Sequence, residues 1–203
     1  MSIFRYTSGR SPKSLEMAAH SGAAPLFTNY HAWDVVMAGL ETFNQIRAGH
    51  GWPSSPAAIA TTVYVDHDDQ RARDIGEQYW RKTSGMTVWH YDRLASPYFM
   101  PGANPAERET AVAKGYEGQS SAGLFGSPAK VTEQIRELVA VADIGHLITL
   151  HSFGDMPGDM VEASMRLFAA EALPVIKTFG RGEPRAIPYA KVTSASTTEK
   201  ANR

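Results

Sequence analysis

Seven residues near the amino terminus have the composition of an anion-binding turn. Residues 8–14 (Ser-Gly-Arg-Ser-Pro-Lys-Ser) combine three hydroxyls, an arginine and a lysine directly after a predicted strand. A helix that begins there presents free N–H groups and the positive end of its dipole, which together bind phosphate. Ser11 and Pro12 also make an ordinary helix start, because serine caps the first turn and proline has no N–H to lose. Residues 127–128 repeat this Ser-Pro start, so each turn either binds phosphate or only caps a helix. Neither G-x-G-x-x-G nor a Walker motif occurs.

Histidines and acidic residues are the next candidates. His146 and His151 stand five residues apart on a predicted strand, so their side chains point to opposite faces and cannot share one metal ion. His151 lies at the strand's carboxyl end, where barrel enzymes place their chemistry, although a structural histidine fits equally well. His67 lies among three aspartates (66, 68 and 69) that lack the glycine and glutamate of a calcium loop, so we interpret this cluster as a helix cap. The sequence predicts no metal site and identifies no catalytic residue.

The elements that position these residues alternate between strand and helix. Runs rich in β-branched and aromatic residues predict strands over 3–7, 25–30, 59–65 and 146–151, and apolar residues at helical spacing predict a helix after each. Four consecutive β-α units indicate an α/β fold equal to half of a TIM (β/α)8 barrel, within residues 1–180. Tyr30 follows a strand end, where an aromatic ring either stacks on a planar ligand or packs in a core. Residues 85–124 predict an irregular insertion, and residues 181–203 predict a disordered tail.

The overall composition excludes several classes of function. The 203 residues carry 20 basic and 21 acidic side chains, and this balance gives no electrostatic reason to bind nucleic acid or an anionic membrane. The absence of cysteine excludes disulfides, thiolate metal sites and a cysteine nucleophile. No apolar stretch approaches the roughly 20 residues that cross a bilayer, and no signal peptide is recognised, so we expect a cytoplasmic protein.

Three segments, taken in order, resemble the C-terminal half of the bacterial luciferase-like flavin monooxygenases. The first is 10–19 with the strand at 25–30, and the second is 63–68 with the helix that follows. The third is the most specific, and it combines Phe-Gly-Ser-Pro at 125–128, Gly-His-Leu-Ile at 145–148, Ser-Met-Arg-Leu-Phe at 164–168 and Leu-Pro at 173–174. The resemblance covers residues 2–178, and its last part is similar to the limonene-monooxygenase-like branch.

The resemblance implies a TIM barrel whose strands five to eight are present, with reduced FMN, or less often the deazaflavin F420, at its C-terminal face. Carried over by position, Arg10, Ser11 and Ser14 are candidates for binding the flavin phosphate, and Tyr30 matches an aromatic residue beside the flavin. Arg10 stands where the luciferases have an acidic residue. Residues 85–124 fall where the family has a lid that shields the flavin from water. In the family, a flavin reductase supplies the reduced flavin, and oxygen is used to oxidise a small apolar organic substrate.

The family's first four strands, which supply contacts to the flavin ring and catalytic residues, have no counterpart in these 203 residues. Four parallel strands of a barrel expose two edges and an apolar inner face, which favours association with an N-terminal half-barrel or with a second copy. We therefore expect a flavin-dependent monooxygenase that becomes active when the barrel is completed. A non-catalytic flavin-binding or half-barrel scaffold protein, or an inactive truncated remnant, stays open as the alternative.

Overall fold

The computed structural model describes residues 6–8, 11–28, 33–83 and 123–179, and within these ranges strands alternate with helices. The strands are β1 (Tyr6–Ser8), β2 (Ala24–Thr28), β3 (Ala57–Val65), β4 (Leu124–Gly126) and β5 (Ile144–Leu150). The helices are α1 (Pro12–Ser21), α2 (Trp33–Gly49), α3 (69–83), α4 (Pro128–Val141), α5 (Gly158–Leu167), a π-helical segment (Phe168–Ala172) and α6 (Leu173–Ile176). An α/β fold with a parallel sheet is therefore confirmed.

Strand β3 is the centre of the sheet, and every strand pair is parallel. It pairs with β2, which pairs in turn with β1, and it also pairs with β5 from Ala57 to Thr62. These four strands correspond to the four predicted ones. The last three residues of β3, from Val63 to Val65, pair instead with β4. Strand β4 was not expected from the sequence, because three residues are too few for an alternating pattern to be recognised.

One face of the sheet is covered by helices. Side chains alternate across a strand, so Ile59, Val63 and Val65 of β3 share a face. They form one core with residues of α1, α2, α4 and the π-helical segment, including Leu15, Val36, Phe43, Val131, Ile135 and Phe168. Phe27 of β2 fits against Gly39 of α2, where an added Cβ would lie 2.9 Å from the Phe27 ring. Burial of these side chains holds the helices against this face of the sheet.

The opposite face of the sheet is partly open. On this face, Leu26 of β2 pairs with Ala58 of β3, which pairs with His146 of β5. Two residues further along the strands, Ala60 pairs with Ile148. On β5, Ile148 is 41% exposed and Leu150 is 44% exposed. In a closed barrel such side chains fill the interior. The open part of this face lies along β5, because Ala58 and Thr62 of β3 are buried.

Both predicted Ser-Pro helix starts are confirmed. Ser11 is the N-cap of α1, Ser127 is the N-cap of α4, and a proline follows each of them at the first helical position. Helix α1 ends at Gly22, which has a φ of 67° and donates its N–H to the carbonyl of Ala19. Glycine reaches this left-handed conformation without the steric cost of a Cβ.

The final helix is less regular than the sequence predicts. One helix was expected from Pro157 to about residue 177, with a kink or an end at Pro174. The structure instead inserts the π-helical segment Phe168–Ala172 between α5 and α6. Pro174 has no N–H for the carbonyl four residues earlier and its ring crowds that carbonyl, so the helix widens just before it.

The other sequence-based boundaries are tested only in part. The predicted insertion over 85–124 lies outside the described residues except at its end, where Leu124 already belongs to β4. The predicted tail over 181–203 lies outside them entirely. No helix in the described ranges is long and apolar enough to span a membrane.

Candidate functional site

The carboxyl ends of the parallel strands lie at one edge of the sheet, and the candidate residues follow these ends. Ser11 and Ser14 follow β1, Asp66 follows β3, Ser127 follows β4 and His151 follows β5. Ligands of parallel α/β sheets bind at this edge, because loops and helix N-termini from neighbouring strands converge there. Arg10 and Tyr30, which the sequence also nominates, lie outside the described residues.

The N-terminus of α1 is an open, hydroxyl-lined turn. The Ser11 Oγ accepts a hydrogen bond from the Ser14 N–H at 3.1 Å, and the two hydroxyl oxygens are 2.8 Å apart. The Lys13 N–H lies in the first turn, where a helix offers no internal acceptor. Ser11 and Lys13 are exposed, and the first turn of α1 contains no acidic residue. The turn therefore offers hydroxyl and N–H donors at the positive end of a helix dipole, which suits a bound anion.

The N-terminus of α4 begins with the same two residue types but is occupied by a carboxylate. The Ser127 Oγ accepts from the Lys130 N–H at 3.3 Å, while the Ser127 N–H donates to the Asp69 Oδ1 at 3.1 Å. Pro128 is buried, and its carbonyl accepts a hydrogen bond from the Thr132 hydroxyl. Asp69 accepts from the Ser127 N–H and pairs with Arg73 at 2.9 Å, so this N–H is already taken and is not available to an outside anion. The α4 turn is a structural cap.

The acidic cluster that begins at Asp66 is also used by the fold. Asp66 is bound by both the Nε and a terminal nitrogen of Arg71, at 2.9 and 2.5 Å. Burial raises the pKa of the Asp66 carboxyl, but the hydrogen bonds from Arg71 and from the Asp68 N–H outweigh burial, and its pKa lies below the usual range. Asp68 accepts from the Arg71 N–H and caps α3, as the sequence predicts. No group of three or more metal-binding side chains comes together within the described ranges.

His151 packs on the helix layer at the end of β5. Its ring meets the Phe168 ring edge-on, with centroids 5.0 Å apart. Its Nδ1 is buried and has no hydrogen-bond partner among the described residues, and burial lowers the pKa of the imidazole. His146 lies within β5 and pairs with Ala58 on the open face of the sheet, so the two histidines do lie on opposite faces. His151 therefore lies at the candidate edge of the sheet, and burial there favours its neutral form, since it lowers the pKa of the ring.

A buried serine missed by the sequence reasoning joins the last helix to the central strand. Ser164 of α5 is 2% exposed, and its Oγ accepts a hydrogen bond from the Val65 N–H at 2.8 Å. Val65 is the last residue of β3, so this bond fixes the point where the strand turns toward Asp66. The motif at 164–168 therefore has a physical reason: Ser164 satisfies the strand end and Phe168 contacts His151. The sequence signal for this bond was a serine at a helix position that faces the sheet, among the apolar residues of an amphipathic helix.

The chain belongs to the luciferase-like monooxygenase family, whose sequence profile matches residues 6–143. No curated protein matches the sequence. The sequence-based identification of the family is thereby confirmed.

Solved structures with the same fold include two monooxygenases and a coenzyme F420 dependent reductase. The chain is 19% identical to the monooxygenase RslO1 of Streptomyces bottropensis, with a TM-score of 0.57 over 83% of this chain and 47% of that one. It is 17% identical to the oxygenating constituent of 3,6-diketocamphane monooxygenase from Pseudomonas putida, solved with FMN (TM-score 0.54, 84% and 47% covered). For the coenzyme F420 dependent tetrahydromethanopterin reductase of Methanopyrus kandleri the identity is 16% (TM-score 0.51, 85% and 50% covered). The chain thus spans about half the length of these proteins.

Proposed function

We propose that this chain is the flavin-phosphate-binding half of a flavin-dependent monooxygenase, which oxidises a small apolar organic substrate when its barrel is complete. The observation that carries the proposal is the exposed N-terminus of α1, with the Ser11 and Ser14 hydroxyls 2.8 Å apart at the carboxyl edge of the sheet. Membership of the luciferase-like family supports this assignment, and so does the FMN complex of the related P. putida protein.

The α1 turn fits the phosphate of FMN. Phosphate needs several hydrogen-bond donors and positive potential, and the turn supplies hydroxyls, the Lys13 N–H and the helix dipole. We place Arg10 in the same set by its position in the sequence, where its guanidinium would add charge, and we assign Tyr30 to the flavin itself. Reduced FMN, when bound, supplies the electrons with which one atom of O2 enters the substrate and the other becomes water. We prefer FMN to F420, and a separate flavin reductase would supply the reduced form.

Completion of the barrel is the second part of the proposal. Ile148 and Leu150 are exposed on the face that would line a barrel interior, and the chain spans about half the length of its structural relatives. Exposed apolar side chains that are neighbours on one face of a strand favour association with another protein surface. The partner is either an N-terminal half-barrel or a second copy of this chain.

The experiment compares FMN with riboflavin, which lacks the phosphate. Binding is measured by flavin fluorescence, and light scattering on the same sample gives the mass of the species that carries the flavin. We expect FMN to bind at least about tenfold more tightly than riboflavin, which is about 1.4 kcal/mol, in a species larger than the monomer. The double variant Ser11→Ala, Ser14→Ala should lose this preference. Ser127→Ala, the matched change at the other Ser-Pro start, should keep it. Equal binding of the two flavins would contradict the proposal. No flavin binding would exclude completion by a second copy and leave an N-terminal half-barrel as the required partner.

A non-catalytic flavin-binding protein is the second candidate. It is favoured by the half-length match, because the chain covers only 47% of the RslO1 monooxygenase. Oxygen consumption with reduced FMN separates the two candidates. Consumption that rises on addition of an apolar substrate supports the enzyme. Flavin binding without such a rise supports the binding protein.

A further inference from the structure

Two histidines meet at the sheet edge opposite the proposed flavin site. His20 lies in the last turn of α1, which leads to β2, and His50 directly follows α2, which leads to β3. Their ring centroids are 4.7 Å apart with the ring planes at 65°. Trp52 stacks on His50 at 4.7 Å and meets His20 edge-on at 5.5 Å. The Trp52 ring therefore contacts both imidazoles, one from the end of α1 and one from the residue after α2.

A centroid separation of 4.7 Å allows two imidazoles to bind a single metal ion. With a metal–nitrogen distance of about 2.0–2.1 Å and an angle of roughly 90–110° at the metal, two bound imidazoles have centroids roughly 4.5–5 Å apart. His20 and His50 are both exposed, so an ion can reach them with water as its remaining ligands. We infer that His20 and His50 form a binding site for a divalent transition-metal ion that bridges the ends of α1 and α2.

The electrostatics select the type of ion. The C-termini of α1 and α2 both point to this place, and the negative end of a helix dipole favours a cation. Arg47 places a positive charge near the two imidazoles. Its guanidinium lies 5.8 Å from the Trp52 ring centroid, and its Nε donates to the Pro53 carbonyl at 2.7 Å. A nearby positive charge disfavours ions held mainly by charge, such as Mg²⁺ and Ca²⁺. Ions that bond strongly to imidazole, such as Cu²⁺, Ni²⁺ and Zn²⁺, are expected instead.

Sequence reasoning could not find this pair. His20 and His50 are separated by thirty positions and belong to no metal-binding motif. Only the packing of α1 beside α2 brings them together. The inference does not depend on the proposed flavin function, because it concerns the opposite edge of the sheet.

The test is calorimetric titration of the full-length chain with Ni²⁺ and with Cu²⁺. We expect one ion per chain, with Cu²⁺ bound more tightly than Ni²⁺, and weaker binding in acid because protons compete for the imidazoles. His20→Asn and His50→Asn should each weaken metal binding by about tenfold or more. The double variant should lose this binding. His67→Asn, which removes an exposed histidine at the other edge, is the matched control and should bind as the unmodified chain does. Metal-induced stabilisation against urea gives a second readout.

Equal metal affinity in the double variant and the unmodified chain would overturn the inference, as would a loss of affinity in His67→Asn of the same size. The Ser11→Ala, Ser14→Ala variant should bind metal normally. A chain that binds metal but binds FMN and riboflavin equally would thus reject the flavin proposal alone.

Discussion

The two Ser-Pro helix starts have the same local structure and different surroundings. Ser11 has φ and ψ of −64° and 146°, and Ser127 has −65° and 161°. Each hydroxyl caps the N–H three residues later. At α1 the turn faces solvent, and a second hydroxyl, from Ser14, joins the cap. At α4 the cap N–H is bound by Asp69, which comes from another helix.

The difference shows what makes a helix N-terminus available to a ligand. Both turns have the dipole and the capping serine, so neither property separates them. The separating property is whether the protein supplies its own anion, as Asp69 does at α4. Neither helix has an acidic residue in its own first turn, so the difference is the Asp69 carboxylate on the Ser127 N–H, and it supports our assignment of the flavin phosphate to α1.

The largest effect is expected where the α4 turn is most crowded. A Cβ added at Gly126 would lie 2.8 Å from the Asp69 Oδ1 and 3.0 Å from the Lys130 Cβ. Gly126→Ala should therefore push Asp69 away from the Ser127 N–H and lower the free energy of unfolding by about 1–3 kcal/mol. Gly158→Ala is the control, since no atom lies within 4 Å of its added Cβ. Similar urea midpoints for the two variants would mean that this close approach does not matter.

Removal of either capping hydroxyl should cost a similar amount. Ser11→Ala and Ser127→Ala each lose one hydrogen bond to a first-turn N–H, so each should lower the free energy of unfolding by about 1 kcal/mol. Thermal unfolding of both variants measures this loss. The comparison predicts that the two variants differ in the preference for FMN and not in stability. A negligible loss at Ser11 alone would show that α1 frays at its start.

A smaller effect is expected from removing the charge at α4. Asp69→Asn keeps an oxygen acceptor for the Ser127 N–H but removes the anion, and it should cost about 0.3–1 kcal/mol because Asp69 is 38% exposed. The variant should also gain more stability from added sulfate than the unmodified chain gains, since the α4 helix end and the Arg73 guanidinium, which pairs with Asp69 at 2.9 Å, both become free for an anion. If sulfate stabilises both proteins equally, Asp69 does not close the α4 turn.

The smallest effect concerns acid. Because the folded-state pKa of Asp66 is lowered, its ion pair with Arg71 stabilises the fold above the unfolded pKa of about 3.9, and this stability is lost as the pH falls through the folded value. Arg71 is 62% exposed, so solvent screens the ion pair and its contribution should be small. Asp66→Asn and Arg71→Gln should each flatten the dependence of unfolding free energy on pH below about 4. An unchanged slope in both variants would contradict the role of this pair.

Much of the fold follows from the sequence alone. The Ser-Pro starts, the glycine after α1 and the alternation of β-branched strands with amphipathic helices are local patterns, and local sterics and hydrogen bonding act on neighbouring residues. The family was identified separately, by the resemblance of three segments, of which the last ends with the motifs at 164–168 and 173–174. The local patterns placed Ser11 and Ser14 correctly at a helix start after β1. The flavin-binding roles of Ser11, Ser14, Arg10 and Tyr30 stay predictions.

Tertiary structure decided the features that depend on distant residues. The bond between Asp69 and Ser127 joins residues 58 positions apart, and the bond between Ser164 and Val65 spans 99. Packing alone also brought His20 against His50 and added β4 to the end of β3. A short sequence pattern carries no information about which distant side chain will arrive, because that depends on how the helices and the sheet bury their apolar faces together. For this reason the local pattern gave two similar Ser-Pro helix starts, the resemblance favoured the turn at 10–14, and only the fold showed that Asp69 binds the other one.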